Sequence, residues 1–221
     1  MPEIKIIAFD YDRVLTDQNL KFDERLIHYF KFMKTLGIFF GINTGRRWNY
    51  ISHMQQLVDF IIYENGYFLY YKEKIPLYNS FDEKIAYQIK NKIRENDLNC
   101  VEGEMAVSCP IIYMDILSNI FNDDNTKLIP NVDRIFILPK RIDKGNAINE
   151  LLKILNIKND NLCVVGDGEN DIDMFHVAGF PASLANSVKE LKNISKFVSN
   201  RSYSDGTIDI LEKLKNLNFK Y

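Results

Sequence analysis

A chain of 221 residues, 46% of them hydrophobic, holds enough apolar material for one core domain or for a domain carrying an insertion. Its 28 basic and 30 acidic residues leave a net charge of −2, so no global positive field marks it for nucleic acid or an anionic membrane. Three cysteines without C-x-x-C spacing, Cys100, Cys109 and Cys163, argue against a disulfide framework or a zinc site and for a reducing cytoplasm.

The N-terminus carries Glu3 and Lys5 and no long apolar run, so no signal peptide is expected. No segment is apolar over the ~18–20 residues that a bilayer crossing needs. "KIIAFD" (5–10) reads as a buried strand that stops at polar residues. Residues 23–36 place Leu26, Phe30 and Met33 on one helical face, with Asp23 as N-cap and Gly37 as C-terminal stop. "IFFGIN" is a second short strand, followed by a helix over about residues 47–57 and the strand "DFIIY". This β-α-β-α-β rhythm is that of a parallel sheet flanked by helices. Asn65-Gly66 between apolar runs is a hairpin turn signal.

From about residue 79 to 140 the rhythm changes. The helix "DEKIAYQIKNKIREN" leads into a β-like "CVEGEMAVS", a mixed stretch, and "DRIFILP", with turn signals between them. Then the first pattern returns: "DKGNAINELLKILNI" as helix, "NLCVVGD" as strand, "NDIDMFHVAG" as a short helix, "FPASLA" as strand, and a helix over about residues 205–218. The expected fold is α/β, a doubly wound, Rossmann-like parallel sheet formed by residues 1–78 and 141–221, with a small α+β domain inserted at 79–140.

Four short stretches carry chemistry. Asp10 and Asp12 stand at the end of the first strand, the edge where open parallel sheets bind ligands. Close carboxylates repel, which suits a divalent cation or a shared proton, although the same letters also spell a solvated turn. "NTGRR" (43–47) follows a strand and opens a helix, where Thr44 and free backbone N–H groups form an anion pocket; Thr44 is equally a plain N-cap. Lys144 begins a helix against its dipole, which suggests a task other than helix stability. "GDGENDIDMF" (166–175) gathers Asp167, Glu169, Asn170, Asp171 and Asp173 after a buried strand, more acids than a turn requires. All four are expected at one edge of one sheet.

"DYDRVLTD", "NTGRR", "DKGNAI" and "GDGENDIDMF", in that order, resemble the haloacid dehalogenase superfamily of phosphotransferases. The place of the insertion resembles its type IIB, which carries an α+β C2 cap, and "YENGY" at 63–67 looks like a further piece of that pattern. The short insertion and length are most similar to archaeal phosphoglycolate phosphatases and small sugar-phosphate phosphatases within the superfamily. The resemblance implies a Mg²⁺-dependent phosphatase acting through an aspartyl-phosphate on a small phosphorylated metabolite, phosphoglycolate first. The alternatives it leaves are a sucrose-, mannosylglycerate- or trehalose-phosphate type sugar phosphatase, a phosphomutase, and a non-catalytic binding module.

By the same resemblance Asp10 is the nucleophile and Asp12 the general acid and base. Asp10, Asp12 (through its main-chain carbonyl) and Asp167 hold the metal, with Asp171 beside them orienting a metal-bound water or the lysine. Thr44, Gly45, Lys144 and Asn170 hold phosphoryl oxygens. Arg46 and Arg47 lie near Thr44. The superfamily usually has Gly-Thr where this chain has Arg13-Val14, and Gly adopts backbone angles that Arg avoids. Arg13 is either a solvated side chain or a guanidinium for a substrate carboxylate. Neither nucleic acid nor membrane is an expected partner, and an apolar cap face leaves room for a homodimer.

Overall fold

The computed structural model describes residues 3–221. Strand β1 (Ile6–Phe9) is buried on both faces: Ile7 and Phe9 enter one apolar core, Ile6 and Ala8 another. That period-two alternation makes β1 the middle layer of three. The chain continues through α1 (Leu26–Thr35), β2 (Phe39–Asn43), α2 (Trp48–Ile51), β3 (Phe60–Tyr63) and the hairpin β4 (Phe68–Tyr71) and β5 (Glu73–Pro76). The inserted stretch holds α3 (Ser80–Glu95), β6 (Val101–Glu102), β7 (Val107–Pro110), α4 (Met114–Ile120), β8 (Thr126–Asn131) and β9 (Arg134–Pro139). The remainder is α5 (Lys144–Leu155), β10 (Leu162–Gly166), α6 (Ile172–Val177), β11 (Phe180–Ser183), α7 (Lys189–Ile194), β12 (Phe197–Val198) and α8 (Tyr203–Asn216).

The main sheet has eight strands in the order β12-β11-β10-β1-β2-β3-β4-β5, parallel from β12 to β3 and antiparallel at β4 and β5. Helices α1 and α8 cover one face with Leu26, Phe30, Met33, Ile210 and Leu214. Helices α5, α6 and α7 cover the other with Ile148, Leu151, Met174 and Leu191. The chain leaves β1 toward β2 and returns on its other side at β10, so the order reverses there and opens a crevice at the carboxyl edge. A second, antiparallel sheet, β6-β7-β9-β8, packs one face on α3 and α4 through Ile85, Ile89, Val107, Leu117, Ile135 and Ile137. Ala106, Ser108, Arg134 and Phe136 alternate to its other face, over the crevice.

Several details depart from the sequence reading. The helix expected at 47–57 is α2 followed by a 3₁₀ segment, Ser52–Gln56. The mixed stretch is α4 and β8, and α7, β5 and β12 are additional elements. Cys100 and Cys109 form a disulfide, against the expectation of none. They face each other across the β6–β7 hairpin, one step beyond the Val101–Ser108 pair, with Cα atoms 4.4 Å apart. Sequence spacing does not reveal that register, and the pairing removes the cysteine argument for a reducing compartment. No helix among the described residues is long and apolar enough to cross a membrane.

Candidate active site

Three parallel strands deliver side chains to one point. Phe9 pairs with both Val165 and Ile42, so Asp10, one residue on, stands level with the ends of β10 and β2. Asp167 and Thr44 follow those ends. Lys144 starts α5, where Asp143 caps the helix by accepting from the Asn146 N–H at 2.6 Å. Asn43 Nδ2 donates to the Lys144 carbonyl at 3.0 Å and ties this helix start to β2.

Lys144 Nζ donates to Asp10 Oδ1 and Asp171 Oδ1, both at 2.6 Å, and its side chain is fully buried. Asp171 Oδ2 accepts from the Asp167 N–H at 2.8 Å and the Gly168 N–H at 3.1 Å, so both its oxygens are engaged. The lysine at a helix start is thereby explained: two buried carboxylates outweigh the dipole. Lys144, expected among the phosphoryl-binding residues, touches the carboxylates of Asp10 and Asp171.

Carboxylate oxygens of Asp10, Asp167 and Asp171 lie within 4.8 Å of one another. Three acids and one ammonium leave negative charge uncompensated in a space shielded from water. Burial raises the Asp10 carboxyl to about 7, with Lys144 pulling the other way and Asp171 and Asp12 adding to the rise. Burial, then the charges of Asp10 and Asp171, raises Asp167 to about 8. Burial disfavours the Lys144 ammonium, but Asp10 and Asp171 outweigh it and hold the proton more firmly than in free lysine. Hard oxygen donors carrying excess charge, and two carboxyls ready to give up protons to a cation, fit a divalent ion such as Mg²⁺.

The Asp12 side chain stands outside that cluster. Arg46 Nε and Nη2 donate to its two oxygens at 2.6 and 3.0 Å, and the same guanidinium stacks on the Tyr50 ring at 4.3 Å. Asp10, Asp12, Arg13, Thr44, Gly45, Asp167 and Asn170 all line one cavity of about 500 Å³. Its opposite wall is the second sheet, through Ala106, Ser108, Arg134 and Phe136. Every predicted site residue is therefore at this edge; Lys144 and Asp171 are buried there, and the others face the cavity.

A family model of haloacid dehalogenase-like hydrolases matches residues 7–127 and 113–211. The chain belongs to that family. The hydrolase is 28% identical over 218 residues to a phosphoglycolate phosphatase of Sulfurisphaera tokodaii, a match covering 96% of this chain and 94% of that one. A solved structure from Thermoplasma acidophilum superposes with TM-score 0.81 at 18% identity, over 99% of this chain and all of the other (100%). A haloacid dehalogenase subclass IIB sugar phosphatase superposes with TM-score 0.79 at 16% identity, over 98% and 100% of the two chains. These two structural likenesses concern the fold.

Arg13, at the position where the resemblance implies Gly, has a left-handed φ of 59°. Its N–H donates to Thr16 Oγ1 at 2.7 Å, which helps hold a conformation costing a non-glycine residue ~1–2 kcal/mol. Its guanidinium makes no hydrogen bond or ion pair among the described residues, and Arg13 is one of the residues lining the cavity. Sequence reasoning passed over Glu64, Asn65 and Asn186. Asn186 Nδ2 donates to Asp167 Oδ2 at 3.0 Å. The buried Glu64 carboxylate accepts from the backbone N–H groups of Glu104, Met105 and Ala106, each at 2.8 Å, so a side chain just after β3 grips the turn between β6 and β7. The signal for Glu64 and Asn65 was the resemblance in "YENGY".

Proposed function

We propose that this phosphatase hydrolyses a small acidic phosphomonoester, phosphoglycolate before others, with Mg²⁺ bound and through an aspartyl-phosphate on Asp10. The buried arrangement of Asp10, Lys144, Asp171 and Asp167 carries the reading. The phosphoglycolate phosphatase among its relatives and the unpaired guanidinium of Arg13 support the substrate. Asp10, Asp167 and the Asp12 carbonyl would hold the ion, with Asp171 fixing the loop behind them. The ion, when bound, neutralises the phosphoryl charge that otherwise repels the Asp10 carboxylate.

Lys144 leaves one Asp10 oxygen free to attack phosphorus along the line of the departing alkoxide. As the bond from phosphorus to the alkoxide breaks, Asp12 gives that oxygen a proton. In the second half Asp12 takes a proton from water, the water oxygen bonds to phosphorus, and the Asp10–phosphorus bond breaks to release phosphate. The Asp12 carboxyl is committed to Arg46 in the present arrangement, so this proton traffic requires the pair to part. Thr44, the Gly45 backbone and Asn170 orient the phosphoryl oxygens.

A second reading is a sugar-phosphate phosphatase: the cavity of about 500 Å³ has room for a leaving group larger than glycolate. Turnover of a panel of phosphomonoesters, with Mg²⁺ and with chelator, decides between them. We expect phosphoglycolate to lead the panel, chelator to stop it, and Asp10→Ala to lower kcat by ~10⁴-fold or more. An Asp10→Ala protein at wild-type rate would end the mechanism, and a panel led by sugar phosphates would end the substrate.

A further inference from the structure

Asn65 lies between the second and fourth motifs and is 1% exposed. Its backbone N–H donates to the Thr44 carbonyl at 3.0 Å, and its Oδ1 accepts from Asn170 Nδ2 at 3.1 Å. With Oδ1 turned to Asn170, Nδ2 points elsewhere, and no acceptor among the described residues reaches it. Buried amide donors are almost always paired, so an orphan calls for a partner. This one stands 3.0 Å from where a Cβ on Gly45 would be, beside two residues of the cavity wall, Gly45 and Asn170.

We propose that Asn65 Nδ2 donates a hydrogen bond to a phosphoryl oxygen of the bound substrate and of the phosphate released from it. This assignment rests on the phosphatase reading above. It completes an amide pair in which Asn170 faces the phosphoryl group from the fourth motif and Asn65 from the turn after β3. The oxygen it serves is anionic throughout the cycle, so the bond contributes to substrate binding as well as to the reaction.

The probe is inorganic phosphate as a competitive inhibitor, measured with KM, kcat and Tm. Asn65→Asp keeps the shape, the left-handed backbone and an acceptor for Asn170, and exchanges the donor for an acceptor that carries a charge when ionised, so Asn65→Gly, which adds no charge, is the control for repulsion of phosphate. Asn65→Gly keeps the backbone and removes the side chain. Both variants should raise the phosphate Ki and the substrate KM by about tenfold to a hundredfold, the loss expected for one hydrogen bond to a charged group. A lower Tm and kcat with an unchanged phosphate Ki, in either variant, would show a structural role and overturn the assignment. Failure of both variants to fold would overturn it likewise. Wild-type protein that neither turns over phosphomonoesters nor binds phosphate defeats the phosphatase reading itself; wild type inhibited by phosphate, with variants inhibited equally, defeats only the assignment to Asn65.

Discussion

The main sheet and the inserted sheet bury apolar strands in different ways. In the main sheet helices cover both faces, so only an edge remains for polar groups, and the acids collect at that edge. In the inserted sheet α3 and α4 cover one face, and the other looks across the cavity with Ala106, Ser108, Arg134 and Phe136. An edge between covered faces is rigid and shielded from water, which is what a charged reaction centre needs. An open face changes its lining without disturbing the core behind it, which is what substrate choice needs. The two meet at Glu64, whose carboxylate ends in the backbone of the inserted unit.

The sharpest break in this contrast is at the edge. Lys144→Met leaves Asp10 and Asp171 buried without a counter-charge and should cost ~3–5 kcal/mol and nearly all activity. Chemical denaturation and kcat measure the two effects; a Lys144→Met protein as stable as wild type would show that water reaches these acids. A reductant acts on the other region. Opening the Cys100–Cys109 disulfide should loosen the β6–β7 hairpin by ~2–3 kcal/mol, raising hydrogen exchange over residues 100–110 and KM, while the main-sheet amides stay protected. Equal loss of protection in both sheets would show that they unfold as one unit.

The junction comes next. Glu64→Gln removes the charge that three N–H groups share and should cost ~1–3 kcal/mol, read as a higher KM with kcat less affected. If kcat falls and KM does not, Glu64 serves the edge rather than the inserted unit. The smallest effect is a slope. Asp10 and Asp167 hold protons more tightly folded than unfolded, since their values are raised to about 7 and about 8, so their contribution to stability falls as pH rises toward 8. In chelator, Tm should decline between about pH 5 and 8, and Mg²⁺ should flatten the decline by replacing the protons. Identical slopes with and without Mg²⁺ would mean that the carboxyls hold no cation.

Legibility in the sequence followed the same division. Buried parallel strands announce themselves as short apolar runs, and the residues after them as motifs, so β1, β2, β3, β10 and β11 were readable together with Asp10, Asp12, Thr44 and Asp167. In the inserted sheet one face is open and mixed in composition, and β8 and α4 disappeared into it. The Cys100–Cys109 pair followed from a hairpin register that spacing does not encode.

By itself, the sequence determined the layer order and the identity of the groups at the carboxyl edge, because both rest on local periodicity and on residue chemistry. It also flagged Arg13 as an oddity, one the structure turns into a left-handed residue that lines the cavity. Only the tertiary structure decided the partners: Lys144 with Asp10 and Asp171, Asp12 with Arg46, Glu64 with residues 104–106, and Asn65 with Asn170. Each joins segments far apart in the chain, and such contacts depend on strand order and register, which no local pattern of residues records.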